Sequence, residues 1–109
     1  AAVACLTAAA PMPAEVSTYF GSLDIDLLDV YGMSECTGAT TCSTGLVHMT
    51  GTVGPPLGPA EIRIDHVAGR DKPTEGEICY RGRHIMMGYM KDDKKTAEAI
   101  DSDGWLHSA

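Results

Sequence analysis

Residues 31–35 place an aromatic ring, a hydroxyl and a carboxylate close together in the chain. An apolar run, residues 27–30, precedes them, and a loop rich in Gly, Thr and Ser follows them. Such a group suits a nucleotide, because an aromatic face stacks on a base, a hydroxyl donates to phosphate and a carboxylate oxygen binds Mg²⁺. The structural alternatives are a core tyrosine at Tyr31, a turn serine at Ser34 and a solvated carboxylate at Glu35.

Other groupings of reactive side chains do not match known sites. Cys36, Cys42 and His48 have the spacing C-x5-C-x5-H, which is not a usual zinc pattern and lacks a fourth ligand. Ser34 does not stand in a G-x-S-x-G elbow, so a hydrolase nucleophile is not indicated. The dinucleotide and P-loop glycine motifs are absent from the sequence.

The first half of the chain predicts a β-α-β unit. We predict a buried strand over residues 3–7, a helix over 13–22 and a second strand over 25–30. The helix is predicted as amphipathic because apolar residues recur at i, i+3, i+4 and i+7, namely Val16, Tyr19, Phe20 and Leu23. Two strands joined by a helix through short connections imply a parallel sheet.

Ligands bind outside the carboxyl ends of parallel strands. Residues 8–11 and 31–38 both follow predicted strands. We therefore expect these two segments to face one crevice. The small side chains of residues 8–11 would let backbone approach a ligand closely.

The second half is predicted to be mostly β-structure. Residues 38–52 are predicted as loop with one short strand near 45–49, and the Pro- and Gly-rich segment 54–59 as a subdomain boundary. Alternating polar and apolar residues over 61–65 and 77–81 predict a hairpin in an antiparallel sheet or barrel.

The last stretch predicts a helix and a strand. Asp92 or Asp93 is expected to cap a helix that ends at Ile100, with Ala97 and Ile100 facing inward. A strand is expected to begin at Trp105, which we interpret as a packing anchor. Met86 and Met87 are interpreted as core residues.

The composition excludes several classes of protein. The 109 residues carry 15 acidic and 8 basic side chains, and this net charge of −7 disfavours nucleic acid as a partner. No apolar run approaches the roughly 20 residues of a membrane span, so membrane association is possible but not visible. Cys5 and Cys79 lie in apolar runs typical of reduced core cysteines. We expect an intracellular location, in the cytoplasm or on the cytoplasmic face of an organelle membrane.

Four segments together resemble the acyl-adenylate-forming (AMP-binding) superfamily of acyl-CoA synthetases, luciferases and peptide-synthetase adenylation domains. They occur in the order of that family: residues 7–11 resemble S-G-A-A-P, 31–35 resemble Y-G-x-[ST]-E, 51–56 with 76–82 resemble the barrel region, and 103–108 resemble the start of G-W-[LF]-H-[ST]-G-D. Residues 31–35 and 80–89 are most similar to long- and very-long-chain fatty acyl-CoA synthetases of the bubblegum type.

The resemblance implies an internal fragment of an α/β fold, the large N-terminal domain of an adenylate-forming enzyme. Residues 1–52 would be the end of the α/β sheet, a parallel β-α-β unit with the adenine and Mg²⁺ site. Residues 53–109 would be a distorted antiparallel β-barrel subdomain, truncated at its C-terminal end.

The resemblance also implies a function, the ATP-dependent conversion of a long-chain fatty acid to acyl-AMP and its transfer to coenzyme A. The partners would be fatty acid, ATP with Mg²⁺, and coenzyme A as substrate. The implied catalytic residues are Ser34 at the α-phosphate and Glu35 as the Mg²⁺ ligand. The implied nucleotide-binding residues are Ala8, Ala9, Ala10, Pro11, Tyr31, Gly32, Met33, Ser34 and Glu35.

Two positions depart from the family pattern. Ala8 and Ala109 stand where the family has Gly. The phosphate loop, the ribose-binding Asp and the catalytic Lys of the family would lie outside this chain, so the chain alone is expected to be inactive. The alternatives are another acyl- or aryl-CoA ligase of the superfamily, a non-catalytic nucleotide-binding homologue, and an α+β domain in which Tyr31 and Glu35 are structural.

Overall fold

A computed structural model describes residues 4–108 and divides the chain into two compact units, Ala1–Leu57 and Gly58–Ala109. The division falls inside the Pro- and Gly-rich segment 54–59. The elements of the first unit are β1 (Cys5–Thr7), α1 (Ala14–Gly21), β2 (Leu27–Met33), a short 3₁₀ turn (Ser34–Cys36) and β3 (Gly38–Cys42). Those of the second unit are β4 (Glu61–Asp65), β5 (Glu77–Arg81), α2 (Asp93–Ala99) and β6 (Leu106–His107).

The first unit contains the predicted parallel pair. β1 and β2 pair in parallel with α1 between them in sequence, so the β-α-β prediction is confirmed. Pro13, predicted as the first residue of the helix, is the N-cap that precedes Ala14, and its missing N–H removes a donor that would have no partner at this end of the helix. Within the predicted strand 3–7, Val3 lies outside the described residues. The prediction that this strand is buried is wrong, because Leu6 is 63% exposed.

The inward face predicted for α1 is only half correct. Val16 and Phe20 are half-buried, whereas Tyr19 and Leu23 are 61% and 52% exposed. The helix therefore contacts the sheet along a narrower stripe than its i, i+3, i+4 pattern suggests. The periodicity of a sequence gives the direction of an apolar face but not how much of that face is covered.

The prediction of a loop over residues 38–52 is wrong for its first five residues. Gly38–Cys42 forms β3, which pairs antiparallel with β2 and makes the sheet mixed in the order β1-β2-β3. Two threonines in β3 fit a strand because their branched side chains pack well on a pleated surface. The short strand predicted at 45–49 is absent, and Thr44 and Val47 only bridge a tight turn.

The second unit contains an open antiparallel sheet in the order β4-β5-β6. β4 pairs with β5 as the predicted hairpin, from Glu61 opposite Arg81 to Asp65 opposite Glu77. In the connection between them, Asp71 accepts hydrogen bonds from the backbone N–H of Val67 and the guanidinium of Arg70, at 2.8 and 2.7 Å.

The faces of this second sheet differ sharply in polarity. Apolar side chains alternate onto one face, and Tyr80 and Leu106 on that face are fully buried. The opposite face is polar, and there Trp105 packs against two guanidinium groups, with Arg63 and Arg81 at 4.3 and 4.6 Å from the ring centroid. Trp105 is 9% exposed, so its interpretation as a packing anchor is confirmed.

The helix predicted near the end of the chain is confirmed as α2, with Asp92 as its N-cap. The carboxylate of Asp92 accepts a hydrogen bond from the backbone N–H of Lys95 at 2.9 Å. Ala97, predicted to face inward, is exposed, and Thr96 is the half-buried residue beside it. Met87 is fully exposed, so its interpretation as a core residue is also wrong.

Candidate functional site

A cleft of about 290 Å³ lies in the first unit, between the end of β1, the start of α1 and the middle of β2. Its wall contains Ala8, Ala9, Ala10 and Pro11 together with Tyr31 and Gly32, and the further lining residues are Thr7, Met12, Ala14, Ser17, Asp29, Val30, Gly51, Thr52 and Val53. The prediction that residues 8–11 and the start of 31–38 face one crevice is therefore confirmed. The volume is close to the lower end of small-molecule sites, about 300 Å³.

The unequal lengths of β1 and β2 create this cleft. The parallel pairing ends where Thr7 lies opposite Asp29, but β2 continues to Met33. On the β1 side, Tyr31 therefore lies beyond the end of β1 and beside the loop of residues 8–11, while on its other side it pairs with Thr41 of β3. We expected Tyr31 to follow the strand, and its position inside β2 is a correction to that expectation. Backbone pairing to β3 extends β2 by these extra residues.

Gly32 allows β3 to approach β2 where the cleft ends. A Cβ built at Gly32 would overlap the Gly38 carbonyl oxygen and would lie 2.9 Å from the Thr40 backbone nitrogen. The pairing also shifts register between Tyr31 and Gly32. The close approach explains why the residue after Tyr31 has no side chain. The register shift gives the Tyr31 side chain a different direction from that in a regular strand.

Residues 51–53 also form part of the cleft wall, although the sequence analysis assigned none of them to the crevice. The Thr41 hydroxyl donates to the Val53 carbonyl at 2.7 Å, and the Leu57 N–H donates to the Thr40 carbonyl at 2.8 Å. These hydrogen bonds lay the segment along the outer edge of β3. No local pattern in the sequence predicts this contact, because the contact depends on where β3 lies.

Asp29 is a second lining residue that sequence reasoning missed. It precedes Tyr31 by two positions in β2, and residues two apart in a strand share a face. That periodicity was a usable signal in the sequence. Asp29 is half-buried and brings a carboxylate to an otherwise mostly apolar wall.

The chemistry of the cleft favours an uncharged, flat ligand group. Among the described residues, the lining set contains no Lys, Arg or His, so nothing in it would neutralise a phosphate. Ala, Pro, Met and Val provide apolar surface, and Tyr31 provides a ring. Asp29 adds an acceptor suited to an N–H donor on the ligand.

Met33, Ser34 and Glu35 lie outside the lining of the cleft. Ser34 and Glu35 belong to the 3₁₀ turn that follows β2, where Ser34 is exposed and Glu35 is half-buried. The turn ends at Thr37, whose φ of 63° is left-handed. The structure thus places the predicted base-stacking residue in the cleft and the predicted phosphate and Mg²⁺ residues just beyond it.

Cys36 fixes this turn to the interior of the unit. Its side chain is fully buried, and burial raises the pKa of its thiol. All four cysteines are free thiols. Cys5 is only half-buried, so its interpretation as a core cysteine is wrong, whereas Cys79 is fully buried as predicted. Cys36, Cys42 and His48 do not converge on a metal position in the described part of the chain.

Comparison with known proteins gives a consistent result. The family described as AMP-binding enzyme matches residues 2–90. The chain is 39% identical over 105 residues to the long-chain-fatty-acid–CoA ligase ACSBG2 of Mus musculus, covering 96% of this chain and 15% of that protein. It is 42% identical over 104 residues to ACSBG2 of Gallus gallus, covering 95% of this chain and 13% of that protein. The chain thus spans about one seventh of these relatives.

Solved structures match the fold over nearly the whole chain. A malonyl-CoA ligase in a ternary product complex with methylmalonyl-CoA and AMP bound has a TM-score of 0.82 and 27% identity, covering 96% of this chain and 23% of that chain. The o-succinylbenzoate coenzyme A synthetase of Bacillus subtilis, in complex with ATP and magnesium ion, has a TM-score of 0.78 and 24% identity, covering 94% of this chain and 22% of that chain. The latter supports the fold alone. Among residues 4–108, neither helix is long and apolar enough to span a membrane.

Proposed function

The chain belongs to the family of AMP-binding enzymes, and on this premise we propose that it forms the adenine-binding part of a longer ATP-dependent ligase. We propose that this full-length ligase activates a long-chain fatty acid. The observation that supports the proposal most directly is the cleft that unites residues 8–11 with Tyr31. The names of the similar curated proteins support the choice of a long-chain fatty acid.

The proposed reaction has two steps. A carboxylate oxygen of the fatty acid attacks the α-phosphorus of ATP, the bond to the β-phosphoryl oxygen breaks, and pyrophosphate leaves. The thiol of coenzyme A then attacks the acyl carbonyl carbon, loses its proton and displaces AMP. Negative charge develops on phosphate oxygens in the first step, so donors and a metal ion placed there lower the barrier.

The described residues would hold the base end of ATP. Tyr31 offers its ring to adenine, and the backbone of residues 8–11 approaches the ring closely because Ala side chains are small. Asp29 is an acceptor on the same strand face and suits the exocyclic amino group of adenine. The absence of cationic side chains from this lining leaves the phosphates to groups outside the cleft.

Ser34 and Glu35 are proposed to act on the phosphate side. Both follow Tyr31 directly in the chain, so a nucleotide stacked on Tyr31 can extend its phosphates toward the 3₁₀ turn. The Glu35 carboxylate is an oxygen ligand of the kind Mg²⁺ prefers, and the exposed Ser34 hydroxyl is free to rotate toward phosphate. When bound, Mg²⁺ would neutralise part of the charge that develops during adenylation.

The test compares Tyr31→Ala with Tyr19→Ala in the full-length ligase. Tyr19 is a matched aromatic on α1 that is 61% exposed and does not line the cleft. Base stacking on an aromatic ring contributes about 1–3 kcal/mol, so Tyr31→Ala should raise KM for ATP about 5- to 150-fold. Tyr19→Ala should leave KM for ATP unchanged.

The measurement is fatty-acid-dependent exchange between ATP and pyrophosphate. If exchange depends on an aryl or short-chain acid instead of a long-chain one, the proposed substrate is wrong but the proposed ligase activity stands. No exchange with any acid, together with ATP binding that Tyr31→Ala weakens, would indicate a non-catalytic nucleotide-binding protein. Equal effects of the two tyrosine substitutions would contradict the adenine site itself.

The location of the full-length ligase is part of the same proposal. Because its four cysteines are free thiols, which is typical of a reducing compartment, we propose that it lies in the cytoplasm or on the cytoplasmic face of an organelle membrane. Cell fractionation with an antibody against this chain tests the placement, and recovery of the protein from the secreted fraction would contradict it.

A further inference from the structure

A group of three side chains of metal-ligating type lies on the polar face of the second sheet, and the proposed reaction assigns no role to any of them. Asp65, Cys79 and His107 come from β4, β5 and β6, and one ligand atom of each lies within 4.8 Å of the other two. They are brought together by strand pairing, since Cys79 lies opposite His107 in the antiparallel register. The three residues are far apart in sequence, so no spacing motif reveals them.

The distances match the edges of a tetrahedral metal site. Cys79 Sγ lies 3.4 Å from His107 Nδ1 and 3.6 Å from Asp65 Oδ2. Zinc bonds of about 2.3 Å to sulfur and about 2.1 Å to nitrogen or oxygen place tetrahedral ligands about 3.5 Å apart. Two of the three edges therefore already have the length that a bound zinc ion requires.

The orientation of His107 is fixed by a second carboxylate. Asp101 Oδ1 accepts hydrogen bonds from the backbone N–H groups of Asp103 and Trp105, each at 2.9 Å, and Asp101 Oδ2 lies 3.4 Å from His107 Nε2. When Nε2 donates to Asp101, Nδ1 is the nitrogen left to bind a metal ion. Nδ1 lies 3.4 Å from Cys79 Sγ and 3.6 Å from a carboxylate oxygen of Glu77.

Asp65 has an outer partner as well. The guanidinium of Arg63 contacts both carboxylate oxygens of Asp65 at 2.6 Å. Each carboxylate oxygen has more than one acceptor position, so Oδ2 can keep this hydrogen bond and still bind a metal. Hydrogen-bonded His and carboxylate ligands of this kind are the usual outer shell of zinc sites.

We propose that Asp65, Cys79 and His107 form a binding site for Zn²⁺ or a similar borderline-soft divalent metal ion. A mixed sulfur, nitrogen and oxygen donor set suits zinc and does not suit Mg²⁺ or Ca²⁺, which prefer oxygen alone. Three protein ligands leave the fourth tetrahedral position for water. Asp65 and His107 are about one-third exposed at their side chains, so the ion enters from the polar face.

Cys79 is fully buried, and its sulfur contacts both other members of the group. Metal binding replaces the thiol proton and releases it to solvent.

The experiment adds Co²⁺, and then Zn²⁺ as competitor, to the full-length protein. A cysteine-bound Co²⁺ ion gives a thiolate-to-metal charge-transfer absorption that oxygen-only sites do not give, so an Mg²⁺ site elsewhere does not interfere. We expect this absorption at one ion per chain, and we expect Zn²⁺ to abolish it. Nucleotide is not needed, so the result does not depend on the proposed ligase activity.

Variants assign the absorption to this cluster. Cys79→Ser should remove it, Asp65→Asn should weaken Co²⁺ binding, and Asp101→Asn, which disturbs only the outer shell, should weaken it about tenfold. Cys42→Ser is the matched control, because Cys42 is a free thiol in the other unit, and it should bind Co²⁺ like the unaltered protein. If Cys79→Ser does not fold, the weaker Co²⁺ binding expected of Asp65→Asn and Asp101→Asn still tests whether the absorption comes from this cluster. Absence of the absorption, or its loss in Cys42→Ser, would overturn the proposal.

Discussion

Replacement of Gly32 by Ala is expected to separate β3 from β2 and to damage the cleft without removing any side chain from its lining. The three atoms nearest to the added methyl would all be backbone: the Gly38 carbonyl oxygen, the Gly38 carbonyl carbon at 2.8 Å and the Thr40 nitrogen at 2.9 Å. Backbone in a paired strand cannot rotate away as a side chain can. The pairs Gly32–Ala39 and Met33–Gly38 must therefore open.

The cost follows from these contacts. Overpacking costs about 1–3 kcal/mol, and each lost backbone hydrogen bond about 1 kcal/mol. With two pairs opened, Gly32→Ala should destabilise the β2–β3 pairing by about 3 kcal/mol or more. Amide hydrogen exchange in β2 and β3 should accelerate about 100-fold, because each 1.4 kcal/mol is a factor of ten.

The assay is hydrogen exchange with mass spectrometry on the full-length protein, with two glycine controls. A Cβ at Gly45 or at Gly21 would meet nothing within 4 Å. Gly45→Ala should leave exchange in β2 and β3 unchanged. Gly21→Ala, in the last turn of α1, should slow exchange slightly there, since Ala favours a helix by about 0.5–1 kcal/mol over Gly. Exchange in Gly32→Ala equal to that in Gly45→Ala would refute the close-approach argument.

Three further outcomes are expected. Asp92→Ala should destabilise α2 by about 1 kcal/mol, because it removes the cap on Lys95, while Asp93→Ala should cost less than half as much by the same hydrogen-exchange measurement. Asp29→Asn should reduce the preference for ATP over inosine triphosphate about tenfold in pyrophosphate exchange, because an amide can donate to the 6-carbonyl group of hypoxanthine; an unchanged preference would remove Asp29 from the adenine site. Hydrogen bonding from its arginine neighbour lowers the pKa of Asp71 from 3.8 to about 2, so its stabilisation is present above pH 3.8 and is lost as the pH falls to about 2. Asp71→Asn should flatten this acid limb in thermal unfolding of the protein, and an unaltered limb would contradict the assignment.

Local patterns in the sequence were sufficient to predict most elements. Alternation over 61–65 and 77–81 predicted the hairpin, a cap at Asp92 or Asp93 predicted the start of α2, and the segment around Pro13 predicted α1. These features succeed because a cap, a turn or a strand period acts over a few residues. The order of four motifs along the chain likewise identified the family, since it depends on residue types and not on contacts.

Local patterns failed where one strand depends on another. β2 extends through Met33, and residues 38–42 form β3, because each completes the hydrogen bonds of the other. Seen alone, residues 38–42 resemble a loop, because Gly and Thr give no apolar alternation. Their strand conformation depends on pairing with a partner that lies across a tight turn.

The sequence alone therefore determined the family, the β-α-β unit, the hairpin and the expectation that residues 8–11 and Tyr31 share a crevice. Only the tertiary structure decided that residues 51–53 close that crevice and that Asp29 lines it. Only the tertiary structure also gathered Asp65, Cys79 and His107 on one face. The physical reason is the same in each case. Hydrogen bonds between strands bring distant residues into register, and no single stretch of the chain determines that register.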